Sequence, residues 1–320
     1  MKGITKFFDS LFGTGQTPQH EAEKPPPATR DSPAPAPPSE DRPESEAALG
    51  CFDQAPATDP QDADTWLNKG ALLAGLGRSE EALKCFDQAL AINPRYAKVW
   101  TNKGISLHTL GRRQEAIACF DRALAIDPGN ANTWFGKGNS FDDLDRPEEA
   151  LRCYNQALAI DPRHANAWFN KGLSLANLGR REEALKCYDQ ALAIDPQDAV
   201  AWFKKGCVLN ALNLPEEAIG SYNKTLAIDP RHVDAWVNKG VSLGVLDRLD
   251  DALRCHDQAL AIDPRHAKAW YSKALAEDVL GRGRIAMTTY RKFLELASPQ
   301  FAREIAYARR RVRELEAKGG

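Results

Sequence analysis

The sequence AWFNKG at residues 167–172 recurs with small changes along the chain, as TWLNKG at 65–70, VWTNKG at 99–104 and AWVNKG at 235–240. Its tryptophan is the most regular residue of the protein. All seven tryptophans are spaced 34 residues apart, at positions 66, 100, 134, 168, 202, 236 and 270. An unbroken period of this length predicts an array of short structural repeats rather than one or two globular domains.

Other residue types keep the same register. With tryptophan as the fourth residue, the first repeat is 63–96 and the seventh is 267–300. Glycine then fills the eighth place of most repeats, alanine the twentieth, an aromatic residue the twenty-fourth and proline the thirty-second. Two apolar stripes at helical spacing, with a breaker such as LGRRE (178–182) between them, predict two helices per repeat. Because so short a pair cannot bury its own apolar face, neighbouring repeats must stack, and the glycine lets the paired helix approach closely.

This pattern resembles the tetratricopeptide repeat family over residues 63–300, through its period and its Trp, Gly, Ala, aromatic and Pro columns. The resemblance implies an all-α fold, a right-handed superhelical solenoid of helix-turn-helix repeats whose first helices line a concave groove. Such a groove predicts a protein-protein interaction scaffold. The repeats hold no nucleophile elbow, phosphate loop or zinc-protease motif, so we expect no enzyme, no cofactor and no metal site.

The ends of the array depart from the pattern. In the seventh repeat Ala274 replaces glycine and Glu277 replaces an apolar residue, which suits a modified terminus. Residues 301–318 predict a C-terminal capping helix, because one apolar stripe lies on a helix otherwise rich in Arg and Glu; a coiled-coil dimer seam is the alternative. The stripe consists of Phe301, Ile305, Ala308, Val312 and Leu315. At the other end, residues 46–60 align with the second helix at 80–94, so residues 44–62 predict a degenerate half repeat.

Six of the seven cysteines share one column of the second helix: Cys51, Cys85, Cys119, Cys153, Cys187 and Cys255. We expect small, buried side chains there, too far apart for disulfides because packed helices lie about 10 Å from one another. Their spacing matches no zinc pattern. Free thiols at this density predict a reducing, cytoplasmic location. The histidines that follow arginine in the turns between repeats are interpreted as products of repeat duplication.

Asparagine at the sixth place of the repeat is the main functional signal. A helical wheel puts this place, with the second, ninth and thirteenth, opposite the Trp and Gly stripe, and fold stability does not require Asn within a helix. The column is similar to the asparagine ladder in the superhelical repeat domain of the transferase that attaches N-acetylglucosamine to nuclear and cytosolic proteins. An amide donates and accepts, so such a ladder can bind the backbone of an extended peptide. The alternative is solvated asparagine inherited by duplication.

The predicted peptide-binding wall combines these amides with a row of phenylalanines at the fifth place, taken as exposed. Its residues are Asn68, Asn102, Asn132, Asn139, Asn166, Asn170, Asn210, Asn238, Phe135, Phe169 and Phe203. The fifth place lacks lysine, which disfavours a receptor for chaperone C-termini. A lysine before each eighth place is expected to cover apolar surface with its stem while its ammonium reaches water. A basic stripe for RNA is the alternative. With a net charge of −2 and acidic pairs opening most second helices, we expect no nucleic-acid partner.

The first 43 residues have another character. Nine prolines fall between Pro18 and Pro43, so residues 14–43 predict a disordered linker. Residues 1–13 predict an amphipathic docking helix with an apolar stripe of Ile4, Phe7, Phe8, Leu11 and Phe12. It is neither a signal peptide nor long enough to span a bilayer. This helix would dock onto a protein partner, onto a lipid interface, or into the array's own groove in a homo-oligomer. The alternative function is therefore an assembly factor tethered to a membrane, shell or partner complex.

Overall fold

The structure is a computed structural model that describes residues 62–319. The predicted docking helix (1–13), the linker (14–43), residues 44–61 of the predicted half repeat and Cys51 lie outside the described residues. The chain divides into two compact units, with the boundary between Arg180 and Arg181. We call the described parts the N-terminal unit (62–180) and the C-terminal unit (181–319).

The N-terminal unit contains three complete repeats and the first helix of the fourth. Its helices are α1 (Ala63–Gly75), α2 (Ser79–Ile92), α3 (Ala97–Thr109), α4 (Arg113–Ile126), α5 (Ala131–Asp143), α6 (Pro147–Ile160) and α7 (Ala165–Asn177). Odd-numbered helices are the first helices of their repeats. Each first helix packs against its own second helix, each second helix packs against the next first helix, and successive first helices also touch.

The C-terminal unit begins with the second helix of the fourth repeat and ends with an additional helix. Its elements are α8 (Arg181–Ile194), α9 (Ala199–Ala211), α10 (Pro215–Ile228), α11 (Val233–Val245), α12 (Leu249–Ile262), α13 (Ala267–Val279), α14 (Gly283–Leu296), a 3-10 turn (Pro299–Phe301) and α15 (Ala302–Gly319). The packing order is the same as in the first unit. Within residues 62–319 there is no strand, and the predicted all-α fold of repeated helix pairs is confirmed.

Turn chemistry sets where the first helices end. After α1, the N–H of Gly77 donates to Ala74 O at 3.0 Å and that of Arg78 donates to Leu73 O at 2.9 Å, which is the Schellman arrangement. Gly77 has a φ of 77°, a left-handed backbone that glycine adopts without strain. In three other repeats the same left-handed place is held by aspartate or asparagine, the side-chain types that best tolerate it: Asp145, Asn213 and Asp247.

The eighth-place glycine lies against the aromatic ring of its own second helix. A Cβ on Gly70 would sit 2.5 Å from the ring of Phe86, and one on Gly206 would sit 2.6 Å from that of Tyr222. No side chain fits in that space without displacing the ring. The predicted close approach of the two helices is confirmed. In the sixth repeat the ring is the imidazole of His256, which is 2% exposed.

In the second to the seventh repeat, the tryptophan attaches a first helix to the turn that precedes it. The indole N–H of Trp100 donates to Pro94 O at 3.0 Å, and those of Trp168 and Trp236 make the same bond to Pro162 O and Pro230 O. The lysine three residues later places its ammonium 4.9 to 5.8 Å from the indole centroid in every repeat. The lysines therefore do more than the sequence predicted, since the ammonium contacts the ring as a cation-π pair.

Helix α15 covers the last repeat. Ala308 and Val312 are buried in one cluster with Tyr290 and Phe293 of α14, and Phe301, Ile305 and Leu315 pack around them. Arg311 adds a two-pronged ion pair to Asp278 of α13, with nitrogen-oxygen distances of 2.7 and 2.8 Å. Among helices α1 to α15, none combines the length and apolarity needed to cross a membrane.

Candidate peptide-binding face

The side of the first helices that their second helices leave uncovered is called here the first-helix face. It carries the second, sixth, ninth and thirteenth places of each repeat. The second place is exposed in six repeats and half-buried in the seventh: Asp64, Lys98, Asn132, Asn166, Val200, Asp234 and Lys268. This part of the predicted face is therefore open to solvent.

The asparagines at the sixth place do not form one exposed ladder. Asn68 is exposed and Asn102 and Asn238 are half-buried, but Asn170 is only 1% exposed. The prediction that the whole column faces away from the packed core is wrong for Asn170. The helical wheel treated each helix alone, whereas successive first helices within a unit also pack against one another.

Asn170 belongs to a buried polar network that joins α5 to α7. Its Nδ2 donates to Asn139 Oδ1 at 2.8 Å, and Tyr154 OH donates to the same oxygen at 2.9 Å. Asn139, at the ninth place, is itself 2% exposed. Tyr154 OH also lies 2.7 Å from Asp142 Oδ2, an oxygen that accepts a bond from Ser174 at 2.6 Å. Asn139 and Asn170 therefore connect repeats instead of presenting amides to a ligand.

A second set of side-chain bonds links the twelfth place of one repeat to the tenth place of the next. Ser140 Oγ lies 3.1 Å from His108 Nδ1, and Ser242 Oγ donates to Asn210 Oδ1 at 2.8 Å. Where the twelfth place is Ala74, the following serine, Ser106, is buried with no hydrogen-bond partner among residues 62–319. These links were not predicted from the sequence. The available signal was serine at the tenth place of four repeats, Ser106, Ser140, Ser174 and Ser242.

The phenylalanines at the fifth place are mostly core residues, so the prediction of an exposed apolar row is wrong for two of them. Phe135 is 6% and Phe169 1% exposed, whereas Phe203 is half-buried. The ring of Phe135 packs 4.8 Å from that of His164, and Phe203 packs 4.6 Å from His232. The fifth place therefore contacts the turn that enters the next first helix, since His164 precedes α7 and His232 precedes α11, and a wheel of a single helix does not represent that contact.

The histidines between repeats are helix N-caps. Nδ1 of His164, His232 and His266 accepts the N–H three residues ahead at 3.2 Å in each case. This bond fixes the neutral tautomer with a proton on Nε2. Nε2 of His164 then lies 3.1 Å from Asn132 Oδ1, and burial lowers the pKa of His164. Nothing in the repeat pattern predicted the capping role, because histidine is an uncommon cap.

In the C-terminal unit two amides of the predicted wall, Asn210 at the twelfth place and Asn238 at the sixth, already have internal partners. Asn238 Oδ1 accepts from Lys268 Nζ at 2.9 Å, and its Nδ2 lies 3.6 Å from Cys207 Sγ. Asn210 donates from Nδ2 to Tyr222 OH at 3.0 Å. The carboxylate of Asp234 lies 3.3 Å from His266 Nε2, and this hydrogen bond lowers the pKa of Asp234.

In the N-terminal unit two amides of the sixth place remain available. Neither Asn68 nor Asn102 makes a hydrogen bond through its side chain to any residue in 62–319. They occupy equivalent positions in consecutive repeats. Ile105, half-buried at the ninth place beside Asn102, adds an apolar contact, and Lys98 and Asp64 add opposite charges.

The cysteines of the second-helix column lie away from this face, whereas Cys207 occupies the ninth place of α9. The predicted burial of their column is confirmed for Cys85, Cys119, Cys153, Cys187 and Cys255, and the cysteines of the described residues are free thiols. Burial raises the pKa of the Cys153 thiol to about 11. Across residues 62–319, no three His, Cys, Asp or Glu side chains are grouped as metal ligands would be.

Comparison with known proteins gives the fold its family. One model of the tetratricopeptide repeat family matches residues 135–199, 172–233 and 237–301, and a second matches 61–129 and 95–163. No curated protein matches the chain significantly.

Solved structures share the fold. YrrB, reported as a TPR protein with an unusual peptide-binding site, is 26% identical with a TM-score of 0.54, over 59% of this chain and 97% of that one. MamA from Desulfovibrio magneticus RS-1 is 22% identical with a TM-score of 0.50, over 52% and 94%. A chain of the APC/C hetero-tetramer Cut9-Hcn1 is 18% identical with a TM-score of 0.56, over 82% and 52%. The last two similarities concern the fold alone. Because the first family model alone matches more than half of the chain, the protein belongs to the tetratricopeptide repeat family.

Proposed function

We propose that the protein is a non-catalytic scaffold that binds an extended peptide or protein segment on the first-helix face of its N-terminal unit. The observation that carries the proposal is the side chain of Asn102, half-buried on that face with an amide that no residue in 62–319 satisfies. A partly desolvated amide without a partner favours a ligand that supplies one. Asn68 offers a second amide one repeat earlier.

The spacing of these amides suits a peptide backbone. Packed helices lie 8 to 10 Å apart, and an extended chain advances about 3.3 Å per residue. Asn68 and Asn102 can therefore contact backbone groups about three residues apart on one strand. Each amide supplies both a donor and an acceptor, so it reads the backbone rather than a particular side chain. Ile105 and Lys98 would add the side-chain preference.

The remaining asparagines of the predicted wall have different parts in this proposal. Asn132 is exposed and lies within reach of the same strand, while its Oδ1 stays with His164. Asn166, at the second place of α7, extends the surface within the N-terminal unit. Asn210, Asn238 and Phe203 belong to the C-terminal unit and lie outside this proposed site. Asn139, Asn170, Phe135 and Phe169 are buried and contribute by positioning. The peptide-binding site reported for YrrB supports a peptide ligand for this chain, since the two proteins are 26% identical.

The test starts from the full chain used as an affinity bait, with captured proteins identified by mass spectrometry. The affinity of the captured partner is then measured for Asn68→Ala, Asn102→Ala and the double variant. Each lost hydrogen bond should weaken binding by about 0.5–1.5 kcal/mol. Asn155→Ala is the matched control, because Asn155 is an exposed asparagine of α6 outside the first-helix face.

Binding that is unchanged in the double variant overturns the proposal. A partner that is lost when the bait is shortened to residues 44–320, but retained by the double variant, instead supports the tethered assembly factor. In that case the N-terminal helix, rather than the first-helix face, holds the partner.

A further inference from the structure

Three pockets of similar size lie on the second-helix side of the repeats. One of about 480 Å³ lies between α10 and α12, one of about 380 Å³ between α2 and α4, and one of about 460 Å³ beside α12 and α13. All three are lined by equivalent places of successive repeats. They include the lysine beside the tryptophan and the arginine that precedes a second helix. Differences between them therefore come from individual substitutions.

The pocket between α2 and α4 is balanced in charge. Its cations are Lys84, Lys103 and Arg112, and its anions are Glu80, Asp87 and Glu115. Lys103 pairs with Asp87, and Arg112 pairs with Glu115 at 2.7 Å and with Glu80 at 3.9 Å. The pocket beside α12 and α13 is balanced too, with Arg254, Lys273 and Arg282 against Asp250, Asp257 and Glu277.

The pocket between α10 and α12 has an excess of two positive charges when Arg254, which also lines the pocket beside α12 and α13, is counted. Lys239, Arg248 and Arg254 line it, with Asp251 as its single carboxylate. Arg248 lies 2.7 Å from Asp251, and Arg254 contacts the same carboxylate. Two guanidinium groups thus share one negative charge. No ion pair of the described residues links Arg248 to the preceding repeat, unlike the equivalent Arg282, which pairs with Asp250 at 2.9 Å.

In the pocket between α10 and α12, one substitution removes the ion-pair partner of Lys239, the lysine that follows Trp236. Lys103 and Lys273 pair with an aspartate sixteen residues earlier, Asp87 or Asp257. The equivalent residue for Lys239 is Asn223, which lines the same pocket. Within residues 62–319, Lys239 forms no ion pair and keeps only its contact with the Trp236 ring, 5.1 Å from the centroid.

We propose that the pocket between α10 and α12 binds a phosphate-sized anionic group. A phosphate monoester carries a charge of about −1.5 to −2 at neutral pH, which matches the excess of two positive charges. Guanidinium groups bind phosphate oxygens in forked pairs, and the ammonium of Lys239 and the amide of Asn223 add further donors. Trp236 and Leu243 form an apolar wall that lowers the local dielectric and strengthens these contacts. This site is independent of the first-helix face.

The seven tryptophans give one reporter for each repeat. The full chain is labelled with ¹⁵N-tryptophan, its seven indole N–H signals are assigned with Trp→Phe variants, and inorganic phosphate is titrated at pH 7.5 against chloride of equal ionic strength. We expect a saturable shift of the Trp236 signal, while the Trp100 and Trp270 signals, whose lysines line the two balanced pockets, stay unchanged. Movement of all seven signals together indicates ionic screening and overturns the proposal, as does a Trp236 signal that phosphate leaves unchanged.

Two single-charge variants make the test specific. Asn223→Asp restores the aspartate of the other pockets and should weaken phosphate binding by about fivefold or more. Asp87→Asn makes the opposite change between α2 and α4, and the Trp100 signal should then begin to respond to phosphate. An Asn223→Asp variant that binds like the wild type overturns the assignment.

A third titration distinguishes the sources of the anion. If a phosphoserine peptide shifts the Trp236 signal at lower concentration than inorganic phosphate, the ligand is a phosphorylated segment of a partner. Equal or weaker binding of the peptide assigns the pocket to free phosphate.

Discussion

Asn170 donates a 2.8 Å hydrogen bond to Asn139 across two successive first helices, and both side chains are almost fully buried. Two amides that the sequence placed in an open groove therefore hold adjacent repeats together. A buried amide bond specifies how two helices align, since any slip would leave polar groups unpaired. In the same column Asn68 is exposed and Asn102 is half-buried, and neither side chain has a hydrogen-bond partner among residues 62–319.

The first prediction separates these two classes of asparagine. Asn170→Ala should lower the free energy of unfolding by about 1–2 kcal/mol, because Asn139 loses a donor and a small cavity forms. Asn102→Ala should leave it unchanged or raise it by up to about 0.7 kcal/mol, because alanine is the better helix former. Urea unfolding followed by circular dichroism measures both. Equal stability of the two variants would contradict the distinction.

The second prediction compares two glycines of the C-terminal unit. Gly206→Ala should destabilise the fold by about 1–3 kcal/mol, because the new methyl group would lie 2.6 Å from the ring of Tyr222. Gly220 lies within α10 with no atom within 4 Å of its Cβ position, so Gly220→Ala should stabilise by about 0.5–1 kcal/mol. Opposite shifts of the thermal midpoint are expected. A stabilised Gly206→Ala variant would mean that the ring moves aside at little cost.

Much of the fold follows from the sequence because one period repeats the same local information seven times. The turns, the two helices and the contact between the eighth-place glycine and the ring all depend on residues within one repeat. The site depends on contacts between repeats, which a single-helix wheel does not contain. Asn170 and Asn102 occupy the same place of their repeats, yet only Asn170 contacts an asparagine, Asn139, on the preceding first helix. The pairing of Lys103 with Asp87 could have been predicted from the sequence, because lysine follows aspartate by sixteen residues in this and other repeats.

The third prediction concerns acid sensitivity. His256 occupies the aromatic place of the sixth repeat, where Nδ1 has no hydrogen-bond partner among residues 62–319. Burial, with Lys268 and Lys273 nearby, lowers the pKa of His256 to about 3. Below pH 6.5, the usual pKa of histidine, His256 binds a proton in the unfolded chain but not in the folded chain. The free energy of unfolding therefore falls by about 1.4 kcal/mol per pH unit toward pH 3. This contribution is fully present above pH 6.5.

His256→Phe should therefore flatten the decline of stability between pH 6.5 and pH 4. It should also raise stability at pH 7 by about 1–3 kcal/mol, because an unsatisfied polar atom is removed and phenylalanine fills this place in other repeats. The measurement is the urea midpoint as a function of pH for the variant and the wild type. Parallel curves would show that other groups, such as carboxylates, cause the acid loss.

The last prediction concerns how α15 is attached. Arg311 and Asp278 form a two-pronged ion pair whose side chains are only 21% and 11% exposed. The same helix carries a second pair, Arg291 of α14 with Glu316, whose side chains are 52% and 46% exposed. A double-mutant cycle with Arg311→Met and Asp278→Asn should give a coupling energy of about 1–3 kcal/mol, since Arg311→Met leaves the carboxylate of Asp278, only 11% exposed, without its ion-pair partner. The cycle with Arg291→Met and Glu316→Gln should give no more than about 1 kcal/mol, because exposed pairs are screened by water and salt. Amide exchange should at the same time be faster along α15 in the Arg311→Met variant and unchanged in the Arg291→Met variant. Equal coupling in the two cycles would assign the attachment of α15 to its apolar stripe alone.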